Sequence, residues 1–276
     1  MLLAVFGDVH GNLPGVYELV AQWESSRGLK IDAILLAGDV GLFPDLNLID
    51  SATRKHAKDD PTELMASMYV QGRMEATHQT YFCRGNHEDH AFLLGRRNKP
   101  VDPLGKITYL AGSDVHNVGS DEHPVRILTI GGIQPPWDNP LDLSAGGGRN
   151  TDKYFEPREL LVAKRLAPGC ADILLTHDGP FGYCLTRDPN AGAQVLVDVM
   201  ERLQPRFHFF GHYNHPPRPI RVGRTWIVPM SQENVVCVPK RDGGMGILNT
   251  ETWQFDFVLN LHDPKPPREP WATLKS

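Results

Sequence analysis

Five short segments of the chain carry side chains whose lone pairs suit a divalent metal. They are Gly7-Asp8-Val9-His10-Gly11-Asn12, Gly38-Asp39-Val40-Gly41, Arg84-Gly85-Asn86-His87-Glu88, Thr176-His177-Asp178-Gly179-Pro180 and Phe210-Gly211-His212-Tyr213-Asn214-His215. Asp8, His10, Asp39, Asn86, His177 and His212 each offer an oxygen or nitrogen donor to a transition metal. An Asp and a His two residues apart, in a loop made tight by glycines, can grip one ion together. A single carboxylate such as Asp39 can bridge two ions about 3.5–4 Å apart, the spacing of two-metal hydrolytic sites. Taken singly, a Gly-Asp pair after a strand is a turn and a histidine is a satisfied polar residue. Five such segments in order, each behind an apolar run, point to one metal site.

The apolar runs that must position them are Leu2 to Phe6, Ile31 to Ala37, Tyr81 to Cys83, Ile127 to Ile130, Ile173 to Thr176 and Phe207 to Phe210. Short, β-branched and continuous, they read as strands buried on both faces. In parallel sheets of this kind ligands sit just beyond the carboxyl ends of the strands, which is where the five segments fall. Helical patterns lie between some of the strands. Leu13, Val16, Leu19, Val20 and Trp23 share one face with Gly28 as a stop, and Leu160, Leu161, Ala163 and Leu166 follow Pro157 and end at Gly169. Val195, Leu196, Val199, Met200 and Leu203 precede Pro205. Strands alternating with helices give an α/β fold.

The last third differs. Thr225 to Val228, Val235 to Val238, Met245 to Leu248 and Gln254 to Val258 are short strands with no helix between them, expected to be antiparallel. One domain is expected over 1–261, followed by a proline-rich tail over 262–276, extended and packed on the surface or loose. Two connections are long. Asp45 to Gln79 is expected to hold a helix around Thr62 to Thr77, and Gln134 to Tyr154 contains Gly146-Gly147-Gly148-Arg149.

Composition narrows the function. With 28 basic and 33 acidic residues the net charge is −5, which disfavours non-specific binding to nucleic acid or to an anionic membrane. The four cysteines, Cys83, Cys170, Cys184 and Cys237, contain no C-x-x-C pair, which argues against a disulfide framework or a thiolate zinc site. The apolar runs are too short to cross a bilayer and the start has no signal-peptide pattern. A cytoplasmic protein without membrane contact is the expectation.

The five motifs together resemble the calcineurin-like metallophosphoesterases, whose motifs read G-D-x-H, G-D, G-N-H-[DE], a His, and G-H-x-H. The resemblance runs from Asp8 to His215, about three quarters of the chain. It implies a four-layer α/β/β/α sandwich with a dinuclear site between two sheets. It further implies that Asp8 and His10 hold the first metal, Asp39 bridges, and Asn86, His177 and His212 hold the second. His87 resembles the general acid. In such a site two cations neutralise the phosphoryl oxygens and turn a bridging water into hydroxide near neutral pH, while a histidine with a pKa of ~6.5 protonates the leaving oxygen.

Two departures from the pattern stand out. The second His position of the last motif is Asn214, with His215 one residue later. Either a bulge brings His215 to the first metal, or Asn214 or water takes that place; imidazole, the better ligand, favours His215. The second motif, Gly38-Asp39-Val40-Gly41-Leu42-Phe43, lacks the Asp and Arg of the protein Ser/Thr phosphatases, so His87 must find another orienting partner or none. A weaker resemblance joins the insert before the third motif, Tyr81 to Glu88, Tyr109-Leu110 and Ile130-Gly131-Gly132-Ile133 to the RNA lariat debranching branch. That branch cuts phosphodiesters and often has Cys where this chain has Asp8.

Arg149 is a candidate phosphate clamp. Asp178 reads as a support for His177 or as a turn cap, His90 as a solvated loop residue, and Arg206, Arg218, Arg221 and Arg224 as a candidate basic rim near the last motif. The expected function is a dinuclear-metal phosphoesterase, a phosphodiesterase first, with Mn ahead of Fe, Zn, Co or Ni. Its substrate would be a phosphate-ester small molecule or nucleotide, and a nucleic acid stays open. The alternatives are a nuclease or nucleotide hydrolase, and a metal-binding interaction scaffold without catalysis.

Overall fold

Strand β1 (Leu2–Phe6) turns Leu3 and Val5 into one hydrophobic core and Ala4 and Phe6 into another. A strand that is apolar on both faces belongs in the middle of a stack. The computed structural model puts it there, and describes residues 1–137, 140, 151–184, 186, 188, 190–213, 218–231, 244–258 and 273–276. The chain continues through α1 (Leu13–Arg27), β2 (Ala33–Leu36), α2 (Ser51–His56), α3 (Ala66–Val70), β3 (Gln79–Phe82), α4 (His90–Leu94), β4 (Lys99–Pro100) and β5 (Ile107–Tyr109). Then come β6 (Val115–Val118), β7 (Val125–Ile130), α5 (Pro157–Arg165), β8 (Ile173–Thr176), α6 (Gln194–Leu203) and β9 (Phe207–Phe210). The described residues end with β10 (Ile220–Val222), β11 (Thr225–Pro229), β12 (Met245–Asn249), β13 (Gln254–Phe257) and β14 (Thr273–Lys275).

These strands form two sheets, ordered β14-β13-β12-β1-β2-β3-β5-β4 and β10-β11-β9-β8-β7-β6. Three cores separate four layers. One packs α1, α3 and α4 on the first sheet through Leu13, Val16, Val20, Tyr69 and Leu93. The second lies between the sheets and is built from Val5, Leu35, Ile127, Leu175, Phe207, Phe209 and Phe255. The third packs α5 and α6 on the second sheet through Leu160, Leu196, Val199 and Met200. The expected α/β/β/α sandwich is therefore the observed one.

Register matters most for the site. The parallel strands β1, β2 and β3 align Phe6 with Leu36 and Leu36 with Phe82. In the second sheet Ile130 aligns with Thr176 and Thr176 with Phe210. All these strands stop at one level, so the loops behind them emerge together.

Of the helix signals read from sequence, the stop holds at Gly28, a left-handed cap with φ +66°, and Pro157 is the first residue of α5, which ends at Arg165, ahead of the stop expected at Gly169. Two expectations change. The helix expected around Thr62 to Thr77 is a 3-10 turn at Pro61–Leu64 followed by the short α3, and α2 was not foreseen. Strand β11 runs parallel to β9, because β10 occupies the edge and pairs antiparallel with β11 in a hairpin. The other late strands that are described, β12 and β13, are antiparallel and join the first sheet. Of the two readings of the C-terminal tail, its described end takes the extended and packed one, as edge strand β14 on β13; the boundary at 261 and the strand expected at Val235 to Val238 lie outside the described residues.

Phe255 is fully buried against Phe207, Phe209 and Phe257, with ring centroids 5.0–6.2 Å away. Phe255→Ala should cost about 3–5 kcal/mol of folding stability, measured by urea denaturation. A loss below about 1 kcal/mol would mean that the sheets do not depend on this cluster for their packing.

Candidate metal centre

The loop after β1 turns sharply. His10 has φ +40° and Gly11 φ +82°, and their amides donate to the carbonyls of Asp39 and Val40 at 2.8 Å. The loop after β2 is held in the same way: Asp39 has φ +46°, and the buried Glu88 carboxylate accepts the amides of Val40 at 2.8 Å and Leu42 at 2.9 Å. Non-glycine residues in this region carry strain that the surroundings must hold in place. Here the backbone bonds between the two loops and Glu88 do so. Burial, with a smaller contribution from Asp39, pushes the Glu88 pKa up to about 8.

The two sheets then meet over these loops. Asp39 Oδ1 accepts the amides of Asn86 at 2.7 Å and His87 at 2.8 Å, and Asp8 Oδ1 accepts the amide of His212 at 2.8 Å. His177 Nε2 lies 3.4 Å from Asp39 Oδ1 and 2.9 Å from Asn86 Oδ1, while its Nδ1 lies 2.9 Å from the Ala37 carbonyl. Such proximity requires glycine. A Cβ on Gly85 would sit 2.1 Å from Asp39 Oδ1, and one on Gly211 would sit 2.1 Å from Asp8 Oδ1.

Two donor groups result, Asp8 with His10 and Asp39, and Asp39 with His177 and His212. Within each, the ligand atoms lie within 4.8 Å of one another. Asp39 belongs to both, the arrangement a bridging carboxylate needs. The donors fit a pair of cations. With the Nδ1 proton of His177 directed at a carbonyl, Nε2 and Asn86 Oδ1 face each other as two lone pairs, a contact that a proton or a cation between them relieves. The electrostatics agree. Burial raises the Asp8 pKa to about 7. Burial would lower His177, but the Asp39 carboxylate, with help from Asp8, lifts it to about 10. Two buried carboxylates thus draw positive charge into the cluster. His212 is pushed down to about 3, chiefly by burial and next by His177, so it stands neutral with a lone pair to give.

Asp8, His10, Asp39, Asn86, His177 and His212 are thus brought together as the motifs predict. Asn214, His215 and Arg149 lie outside the described residues. Asp178 is a loop anchor: its carboxylate accepts the amides of Gln134 at 2.7 Å and Gly179 at 2.8 Å, next to His177. His90, expected in a solvated loop, is instead the first residue of α4 and mostly buried, its pKa lowered to about 4 by burial and by Arg84. Two residues of the expected basic rim, Arg206 and Arg221, lie away from the cluster. Arg206 stacks on Trp253 and Arg221 on Trp226, both at the level where β9 begins, the end of the sheet away from the cluster.

One residue was missed. Asp50 Oδ2 lies 3.0 Å from His87 Nδ1. It fills the place of the orienting carboxylate absent from the second motif, but arrives from α2, which it also caps by accepting the amides of Ala52 and Thr53. Burial lowers the His87 pKa, but the hydrogen bond to Asp50 and the charges of Asp39 and Asp50 together outweigh it and raise it to about 8. Its sequence signal, an Asp before Ser-Ala-Thr, reads only as a helix cap.

A family model described as calcineurin-like phosphoesterase matches residues 1–216. The lariat debranching enzyme of Drosophila melanogaster is 28% identical over 238 residues, covering 77% of this chain and 42% of that protein. The lariat debranching enzyme of Entamoeba histolytica is 22% identical over 232 residues, covering 76% of this chain and 63% of that one. The chain therefore spans less than two thirds of the length of these relatives. Among solved structures, TT1561 of Thermus thermophilus matches with a TM-score of 0.53 at 13% identity, over 93% of this chain and 97% of that one. GAP50, the anchor in the inner membrane complex of Plasmodium, matches with a TM-score of 0.52 at 14% identity, over all of this chain and 88% of that one. At these identities the structural likeness is one of fold.

Asp50→Asn keeps an oxygen for the α2 cap and removes the charge. In metal-free protein the His87 pKa, read by NMR titration of its imidazole, should fall from about 8 towards ~6.5, with the fold retained. An unchanged midpoint would show that Asp50 does not set the protonation of His87.

Proposed function

Because the chain belongs to the calcineurin-like phosphoesterases, we propose that it hydrolyses phosphate esters with the help of two divalent cations, diesters in preference to monoesters. The observation that carries this reading is the sharing of Asp39 between two donor groups. Asp8 and His10 would hold one cation, Asn86, His177 and His212 the other, and Asp39 both. A mixed carboxylate, amide and imidazole set suits Mn first. When bound, such a pair supplies charge neutralisation for the phosphoryl oxygens and a water acidic enough to attack near neutral pH.

The chain's own residues supply the rest. With Nδ1 held by Asp50, His87 has Nε2 left to deliver a proton to the departing oxygen, and the Asp50 carboxylate favours the protonated ring. The loop bonds from Glu88 and the amides on Asp39 hold the carboxylate geometry before any ligand arrives, so little reorganisation is left for the reaction. The diester preference, and an RNA phosphodiester as the first natural candidate, rest on the likeness to the lariat debranching enzymes. Among the described residues no helix is long and apolar enough to cross a membrane.

Bis-p-nitrophenyl phosphate should be hydrolysed with Mn²⁺ and not with chelator, and faster than p-nitrophenyl phosphate. The absence of any metal-dependent turnover would favour the scaffold reading. Asp39→Asn should lose most bound metal, counted by elemental analysis, together with most activity. His87→Ala should keep its metal and lose about 10²–10⁴-fold in kcat on esters of poor leaving groups, with far less loss on nitrophenyl esters. Equal impairment on every leaving group would remove His87 from the proton-donor role.

A further inference from the structure

A cleft of about 210 Å³ opens beside the metal centre, lined by Arg84, His90, Leu94, Arg97, Trp137 and Tyr154 among others. Its size suits one ring system rather than a whole dinucleotide, being below the usual range for a drug-sized ligand. Its charges cancel and are already engaged. The Arg84 guanidinium donates to the carbonyls of Gly131 at 3.2 Å, Tyr154 at 3.1 Å and Asp152, and Arg97 Nη2 reaches both carboxylate oxygens of Glu156. A free phosphate would find no uncommitted cation there. Two N–H donors of the lining, Trp137 Nε1 and Arg97 Nη1, are buried with no hydrogen-bond partner among the described residues. Buried donors of this kind call for an acceptor. Trp137 also meets Tyr154 edge to face, with centroids 5.0 Å apart, and Tyr109 adds a third aromatic ring to the wall. An uncharged, planar ligand with acceptor atoms on its edge is what these walls match.

The cleft and the metal cluster share one loop. Arg84 stands on the cleft side, and Asn86 and His87 stand two and three residues later in the cluster. His90 lines the cleft and begins α4, four residues past Asn86, close enough for its ring to feel the charges of Asp39 and His87.

The geometry points to a nucleobase subsite: the cleft between α4, β5 and the segment 151–157 takes the base of a nucleotide whose phosphate lies at the metal centre. This rests on the phosphoesterase reading and adds to it the place where a base is held.

The test compares the p-nitrophenyl ester of thymidine 5′-phosphate with methyl p-nitrophenyl phosphate, which share a leaving group and differ in carrying a nucleoside or a methyl group. With Mn²⁺, KM for the nucleoside ester should be about tenfold lower, and millimolar adenosine should compete with it. Trp137→Ala removes one wall. Leu94→Trp fills the mouth from a position that is 62% exposed and free of the core. Each should bring the KM ratio close to one and abolish competition by adenosine. A ratio near one in the unaltered protein, or a ratio that neither variant moves, overturns the subsite and leaves water as the partner of the two donors. Should neither ester be hydrolysed, NMR with adenosine separates the two readings. Shifts at the Trp137 indole and His90 that Leu94→Trp removes keep the subsite while the hydrolase reading falls, and no shifts at all remove the subsite as well.

Discussion

Two carboxylates, Asp8 and Asp39, are buried within one cluster, and neither is neutralised by an arginine or lysine salt bridge among the described residues. Removing such charges from water is costly unless hydrogen bonds and opposite charge replace the lost solvation. The backbone supplies part of that replacement through the amides of Asn86, His87 and His212. Positive charge must supply the remainder, which is why His177 is driven to hold a proton so tightly and why a pair of cations fits. The glycines at 85 and 211, the left-handed turns at His10 and Asp39, and the clamp from Glu88 all follow from this demand.

The two donor groups depend on the fold in different ways. Asp8, His10 and Asp39 all follow strands of the first sheet, neighbours in parallel register, so one sheet positions them. Asp39, His177 and His212 draw on both sheets, so their geometry is only as good as the packing between the sheets. The aromatic cluster of Phe207, Phe209 and Phe255 is therefore more than a stabilising core. It sets the spacing across which Asp39 meets His177, and a tightly packed interior transmits a change in that spacing rather than absorbing it.

The long connection from Asp45 to Gln79 acts as a lip on this frame. The 3-10 turn at Leu46–Leu48, the helix α2 and the 3-10 turn at Pro61–Leu64 each begin behind an Asp that caps them, at 45, 50 and 60. The Glu63 carbonyl sits where a side chain on Gly11 would be, which seats the lip directly on the His10 turn. Loops carried on a rigid scaffold are where a fold acquires particular chemistry. In this chain Asp50, on that loop, replaces a carboxylate that the second motif does not provide.

The amino-acid sequence by itself determined the donor types, the tight glycine turns that present them, the strands that precede them, the helix stop at Gly28 and the helix start at Pro157. These depend on side-chain chemistry and on local backbone sterics, which are written in neighbouring residues. Tertiary structure alone decided the partner of His87, the direction of β11, the placing of Arg206 and Arg221 away from the metal centre, and the return of the C-terminus as an edge strand. Most of these join residues tens to hundreds of positions apart: Asp50 and His87 are 37 positions apart, and β14 closes on a sheet begun at Leu2. A cap that is also an orienting carboxylate looks the same in sequence as a cap alone, because only the folded chain brings the second contact within reach.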